Sequence, residues 1–221
     1  MISRIELTQL LEPLIANWPL FLGLIVILVI IKLLSSARFK GWIGERGVRS
    51  GLARLDAFIY ETFHDLYIPR PDGKGSTQID HVVISPFGIF VIETKNYKGW
   101  IFGSEKQAQW TQQIYRRKER FQNPLHQNKL HVRALMAFLD LPEESFKSLV
   151  FFIGDATFKT PMPDNVLNRG LRSWIENHQT PVFAFSETEA FCATLTQHEQ
   201  ITDRKVAARQ HLKDLRSRRA A

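Results

Sequence analysis

The chain has 221 residues, one cysteine, and 29 Lys plus Arg against 22 Asp plus Glu, for a formal net charge of +7. At 44% hydrophobic and 23% charged residues it has the composition of a globular protein, which excludes a disordered or fibrous chain. The lone Cys192 excludes a disulfide framework and a cysteine-rich zinc site, and its setting, Glu189-Ala-Phe-Cys-Ala-Thr-Leu, reads as a helix holding a buried thiol.

The charge is unevenly placed. Residues 1–34 balance Arg4 and Lys32 against Glu6 and Glu12. Residues 204–221 set seven basic groups against Asp214, and the stretch between is nearly neutral. The basic character therefore belongs to the C-terminal end, and it does not make the whole domain a nucleic-acid surface.

After a short N-terminal segment, 1–13, residues 14–34 form a 21-residue apolar run with one charge, Lys32. A helix of that length covers about 30 Å, the thickness of a bilayer's hydrocarbon core, and predicts one transmembrane helix. Lys32 sits where its stem can reach the headgroups, and Trp18-Pro19 suits the other interface. Lys32, Arg38, Lys40, Arg46 and Arg49 follow the run or close it, while Arg4 alone precedes it. That asymmetry predicts a single-pass membrane protein with its N-terminus outside and its C-terminal domain cytoplasmic.

A linker, 35–40, leads into an α/β domain over 41–199. The spacing of Val48, Leu52, Leu55 and Ile59 predicts a helix from about Trp42 to Phe63. Pro69 to Gly75 is a loop by composition. Alternation predicts strands at Gln78–Ser85 and Ile89–Lys95, joined by the tight turn Ser85-Pro86-Phe87-Gly88. Shorter strands are expected at Trp100–Phe102 and Trp110–Tyr115. Asn123 and Pro124 mark the cap and first position of a helix to about Leu139. A strand at Leu149–Ile153, a helix at Leu167–Asn177, a strand at Pro181–Ala184 and a helix at Thr188–Leu195 follow. Residues 200–221 read as a basic helical tail. The order predicts one mixed sheet flanked by helices.

A two-residue turn would pair Ser85 with Gly88 and so place Asp80 directly across from Glu93, with Lys95 on the same face two residues on. Facing carboxylates repel, and a hard divalent cation, Mg²⁺ or Mn²⁺, would turn that repulsion into ligation. Lys95 beside such a metal would orient or deprotonate a water. Glu45 stands three and seven residues before Val48 and Leu52 and continues the helix stripe that faces the sheet. Asp80, Glu93 and Glu45 are thus candidate metal ligands, and with Lys95 they are the candidate catalytic residues. Each also has a plainer reading: Glu45 complements a helix dipole, Asp80 caps a turn, and His81, on the other face, is structural or solvent-facing.

Downstream, Arg116, Arg117, Lys118 and Arg120 lie among Trp100, Trp110, Tyr115 and Phe121, with Lys129 and Arg133 beyond. Two readings stand side by side: a surface that tracks phosphates and stacks bases, or core aromatics with solvated cations around them. The basic tail suits anionic lipid, nucleic acid or solvent.

Taken together, Gly44-Glu45-x-x-Val48, Gln78-Ile-Asp-His-Val-Val-Ile-Ser85, Gly88-Ile-Phe-Val-Ile-Glu-Thr-Lys-Asn96, Gly99-x-Ile101 and Asn123-Pro-x-x-Gln127 resemble the NERD (nuclease-related) domain over about 41–140. That family resembles the restriction-endonuclease-like nucleases with the PD-(D/E)xK signature. The resemblance implies a restriction-endonuclease-like fold, a metal site at Asp80 and Glu93 with Lys95 and Glu45, and Gln127 beside the substrate. Ile79 stands where the signature's proline would precede Asp80. The implied activity is metal-dependent hydrolysis of phosphodiester bonds in DNA or RNA at a membrane. The alternative is an inactive module of the same fold that tethers nucleic acid or a protein there. A third reading is a lipid-associated structural protein whose acidic and basic groups form an ion-pair network.

Overall fold

A computed structural model describes residues 17–35 and 37–220. Its contacts divide the chain into two units, 1–43 and 44–221. The first holds helix α1 (Trp18–Ser35), 18 residues and so about 27 Å long. Its side chains from Trp18 through Val29 are exposed, among them Leu20, Phe21, Leu24 and Ile27. The expected span of 14–34 starts outside the described residues. Among the described residues, no helix is long and apolar enough to cross a membrane. The expected linker is also revised, because helix α2 (Ala37–Leu52) already runs at Ala37.

In the second unit, α2 stops at Leu52, eleven residues before the expected Phe63. Asp56 turns the chain by accepting from the Phe58 N–H, and strand β1 (Glu61–Pro69) begins where helix was predicted. The β1 pattern is masked in the sequence by Asp65. The ladder to strand β2 (Ser76–Ser85) runs from Glu61↔Ile84 to His64↔His81, then resumes at Leu66↔Ile79. Asp65 is skipped, at φ 55°, a left-handed backbone that Asp tolerates better than most residues. Its irregularity resets the alternation, so Phe63, Leu66 and Ile68 all enter one core.

Strand β3 (Gly88–Asn96) pairs with β2 as expected, Ser85↔Gly88 through His81↔Ile92. Strands β4 (Gly99–Phe102), β5 (Gln109–Ile114) and β6 (Arg117–Gln122) follow, then helix α3 (Pro124–Leu139). Asn123 caps α3 by accepting from the Leu125 N–H, with Pro124 at its first position. Strands β7 (Phe146–Ile153), β8 (Ala156–Phe158) and β9 (Val166–Leu167) precede helices α4 (Leu171–Glu176), α5 (Phe185–Ile201) and α6 (Arg204–Ala220).

The strands make two sheets rather than the single one expected. The first has the order β1-β2-β3-β7-β9, with β1 to β3 antiparallel and β7 and β9 added in parallel. The second, β6-β5-β4-β8, is mainly antiparallel. On one face of the first sheet Val82, Ile84, Ile89 and Val91 pack against Val132 and Leu135 of α3. On the other, Val83, Phe90 and Ile92 meet Val48 and Leu52 of α2. Ile101 and Trp110 of the second sheet pack on Val150 and Phe152 of β7, with the Trp110 and Phe152 rings stacked at 3°. The expected strand at Pro181–Ala184 does not form, since the N–H groups of Val182 and Phe183 both go to the Pro86 carbonyl. The basic end is helix α6, and His211 Nδ1 donates to the Ser76 carbonyl at 3.1 Å.

Candidate functional site

The site forms where the β2–β3 hairpin opens. The ladder ends at His81↔Ile92, one step short of Asp80 and Glu93, because the Asp80 carboxylate takes what a ladder would have used. Its Oδ2 accepts from the Thr94 N–H and from the Thr94 hydroxyl, each at 2.8 Å. Asp80 and Glu93 nevertheless sense one another. Burial, then the Glu93 carboxylate, push the Asp80 carboxyl up to about 7, against the Thr94 hydrogen bonds and Lys95.

Glu93 is 2% exposed and held at both oxygens. Lys95 Nζ donates to Oε1 at 2.5 Å and His131 Nε2 lies 3.0 Å from Oε2. Burial works to raise the Glu93 pKa, but the His131 hydrogen bond and the Lys95 charge outweigh it, and the net direction is down. Lys95 also donates to Gln127 Oε1 at 2.9 Å, so two groups fix its ammonium.

Helix α3 delivers Gln127 and His131 together because they stand four apart, on one face. His131 is fixed from behind by Thr77, whose hydroxyl lies 2.8 Å from Nδ1. The neighbouring Asn128 pins the helix to the sheet, donating to the carbonyls of Val91 and Leu149 at 2.8 and 3.1 Å. The sequence reading missed His131 and Thr94. The Gln127-x-x-x-His131 spacing was the available signal for the first.

Glu45 has different company. It is half-buried, with its pKa raised by burial and then by the Asp65 carboxylate, against the pull of Arg49. Asp65 is ion-paired to Arg49 and accepts from Gln78 at 3.2 Å. Glu45 thus belongs to a cluster with Asp65 and Arg49. Among the described residues, no group of three or more His, Cys, Asp or Glu is placed to hold a metal ion. His81 is buried at 1% exposure, with Nδ1 2.8 Å from His64 Nδ1; burial holds it neutral, with a pKa of about 3. Of the two roles open to it, the structural one stands. Cys192 is half-buried on α5, its thiol pushed up to about 11 by burial.

The basic residues separate. Arg116, Arg117, Lys118 and Arg120 are all exposed, but Arg117 is ion-paired to Glu119. Trp110 is core, while Trp100 is 48% and Tyr115 93% exposed. The aromatics therefore divide between the two readings.

The nuclease-related domain (NERD) family matches residues 40–153, which hold every group in this network. The chain belongs to that family. The match takes in Asp80, Glu93, Lys95, Gln127 and His131, together with Glu45. An uncharacterized protein of Bacillus anthracis is 47% identical over 121 residues, 52% of this chain and 57% of that protein. The chain thus spans little more than half the length of the relative it matches. No solved structure matches it.

Proposed function

We propose that this NERD protein is a metal-dependent nuclease that hydrolyses phosphodiester bonds of DNA or RNA while held at a membrane. One observation carries the reading: a buried Glu93 carboxylate, with Lys95 fixed by Glu93 and Gln127, stands beside Asp80, whose charge its surroundings disfavour. Carboxylates whose charge is disfavoured in this way concentrate at functional sites.

The donor set suits Mg²⁺ or Mn²⁺. Such an ion is commonly held by only one or two carboxylates, with water and substrate phosphate completing its shell. Asp80 and Glu93 would supply those carboxylates, and Glu45 would have to reach them from its place beside Asp65 and Arg49. When bound, the metal supplies Lewis acidity toward a phosphate oxygen. Lys95, a fixed cation, holds the attacking water and stabilises the charge that grows on phosphorus-bound oxygens. Gln127 holds Lys95 and presents its amide to substrate or water. His131 keeps Glu93 oriented.

Membrane attachment rests on α1, whose apolar side chains from Trp18 through Val29 are exposed. Residues 14–17 of the sequence extend the apolar run to the 21 that a span needs. The proposed orientation keeps the C-terminal domain cytoplasmic. Anionic lipid at α6 is a secondary contact of the same kind.

The test is direct. Detergent-purified full-length protein is incubated with DNA and RNA, single- and double-stranded, in Mg²⁺, Mn²⁺ or chelator, beside Asp80→Asn. Metal-dependent cutting lost in the variant supports the nuclease. Binding without cutting in any metal favours the tethering module.

A further inference from the structure

The second sheet has two unlike faces. Its inner face, with Ile101 and Trp110, packs on β7. On its outer face the register aligns two rows across three strands, Trp100↔Gln113↔Lys118 and Phe102↔Thr111↔Arg120. The third row, Gln109↔Gln122, is neutral, and none of the three carries a carboxylate. Neither Lys118 nor Arg120 has an ion-pair partner among the described residues. Phe102, Thr111, Gln113, Lys118 and Arg120 line a cleft of about 640 Å³ on this face.

Trp100 stands at the face's other border. Its indole is 48% exposed, and Lys159 Nζ sits 4.8 Å from its ring centroid. Lys159 follows β8, whose Thr157 pairs with Trp100. An exposed indole bordered by cations is a platform on which a base can stack. A flat sheet surface with an exposed indole, a half-buried phenyl ring and three cations suits a polyanion with aromatic groups of its own.

We infer that the outer face of the β4–β5–β6 sheet is an auxiliary binding surface for single-stranded nucleic acid, with Trp100 stacking a base and Lys118, Arg120 and Lys159 meeting phosphates. The inference rests on the nuclease reading for its biological sense, but its geometry is separate. The chain leaves Lys95, enters this sheet at Gly99, and returns from Gln122 to the helix bearing Gln127. Val150 and Phe152, which lie beside Glu93 and Lys95 in register, contact the sheet's inner face. The outer face is therefore turned away from the catalytic groups, across the thickness of a sheet. A duplex, stiff over roughly 500 Å, bends round that edge to touch both only at a cost in deformation energy. A single strand bends without that cost, and its unpaired bases are free to stack.

Full-length Lys95→Ala protein in chelator, which cannot cut, is titrated with fluorescent 20-nucleotide oligothymidylate and with a 20-base-pair duplex. Single strand should bind at least about tenfold more tightly. Trp100→Ala should weaken single-strand binding about ten- to a hundredfold, and Trp100→Phe should restore most of it. Lys118→Ala with Arg120→Ala should flatten the salt dependence of log Kd by about 1 to 2. Melting temperatures verify that each variant folds. Equal or tighter duplex binding, or no effect of Trp100→Ala, overturns the inference. So does loss of binding to phosphatidylserine vesicles in Trp100→Ala while oligonucleotide binding is unchanged. The two readings fail separately: cutting without single-strand preference leaves the nuclease and removes this surface. Trp100-dependent binding without cutting by wild type in any metal does the reverse.

Discussion

The two ends of the β2–β3 hairpin are built by opposite rules. At the turn, Ser85 Oγ donates to the Gly88 carbonyl and accepts from the Phe87 N–H, and Val82 to Ile84 and Ile89 to Ile92 are buried at 1% exposure or less. The ladder there runs unbroken from Ser85↔Gly88 to His81↔Ile92. At the open end the ladder stops, a carboxylate takes the Thr94 N–H, and two acids and a lysine share one place. The closed end supplies the stability that lets the open end hold charges which water would otherwise claim.

That contrast is broken most severely at the closed end. Ile89→Ala removes a side chain that is fully buried between β2 and α3 and should lower unfolding stability by about 2–5 kcal/mol, read from urea midpoints. Lys95→Ala acts at the open end. It leaves Glu93 with His131 as its remaining partner, so it should destabilise by about 1–3 kcal/mol at neutral pH, and catalytic loss should far exceed that effect.

Asp80→Asn should do the reverse. The amide oxygen can still accept from Thr94, and the like charge toward Glu93 disappears. Above pH 7 the variant should be more stable than wild type by about 1–2 kcal/mol, while cleavage is lost. The sign follows from the raised pKa. The folded state holds the Asp80 proton to about 7 and the unfolded state only to about 4. The stability Asp80 contributes is complete below pH 4 and is lost as pH rises to about 7. The difference between wild-type and variant melting curves should therefore open across that window. The smallest effect is the metal's own: Mg²⁺ at millimolar concentration should raise the wild-type melting temperature by a few degrees at pH 8 and less at pH 5.5, where Asp80 is protonated, and not at all in Asp80→Asn.

How far the sequence carried depended on whether local signals agreed with tertiary ones. The hairpin was legible because Pro86 and Gly88 fix its turn and strict alternation fixes its register. Helix α3 was legible because Asn123-Pro124 is a complete start signal. Strand β1 was not, since Asp65 interrupts its alternation and Leu55 and Ile59 continue a helical spacing that the chain does not use. The second sheet was read as part of the first because nothing local in four- to six-residue strands says which sheet they join; Trp110 on Phe152 decides it. At the site, Asp80, Glu93 and Lys95 were legible from the strand pattern, and Gln127 from the family resemblance alone. The Thr94 and His131 partners, and Glu45's turn toward Asp65, depend on contacts between elements far apart in the chain.

The measurement that bears most directly on the central claim is a single-turnover cleavage assay of the full-length protein with Mg²⁺. It sets wild type beside Lys95→Ala and Gln127→Ala, on a substrate that the metal panel has shown to be cut. Lys95→Ala should lower the rate by at least about a hundredfold and Gln127→Ala by a smaller factor, with both proteins folded by melting and chelator abolishing the wild-type rate. A Lys95→Ala protein that cuts as fast as wild type, or a wild type that cuts equally well in chelator, would contradict the assignment of this network to catalysis.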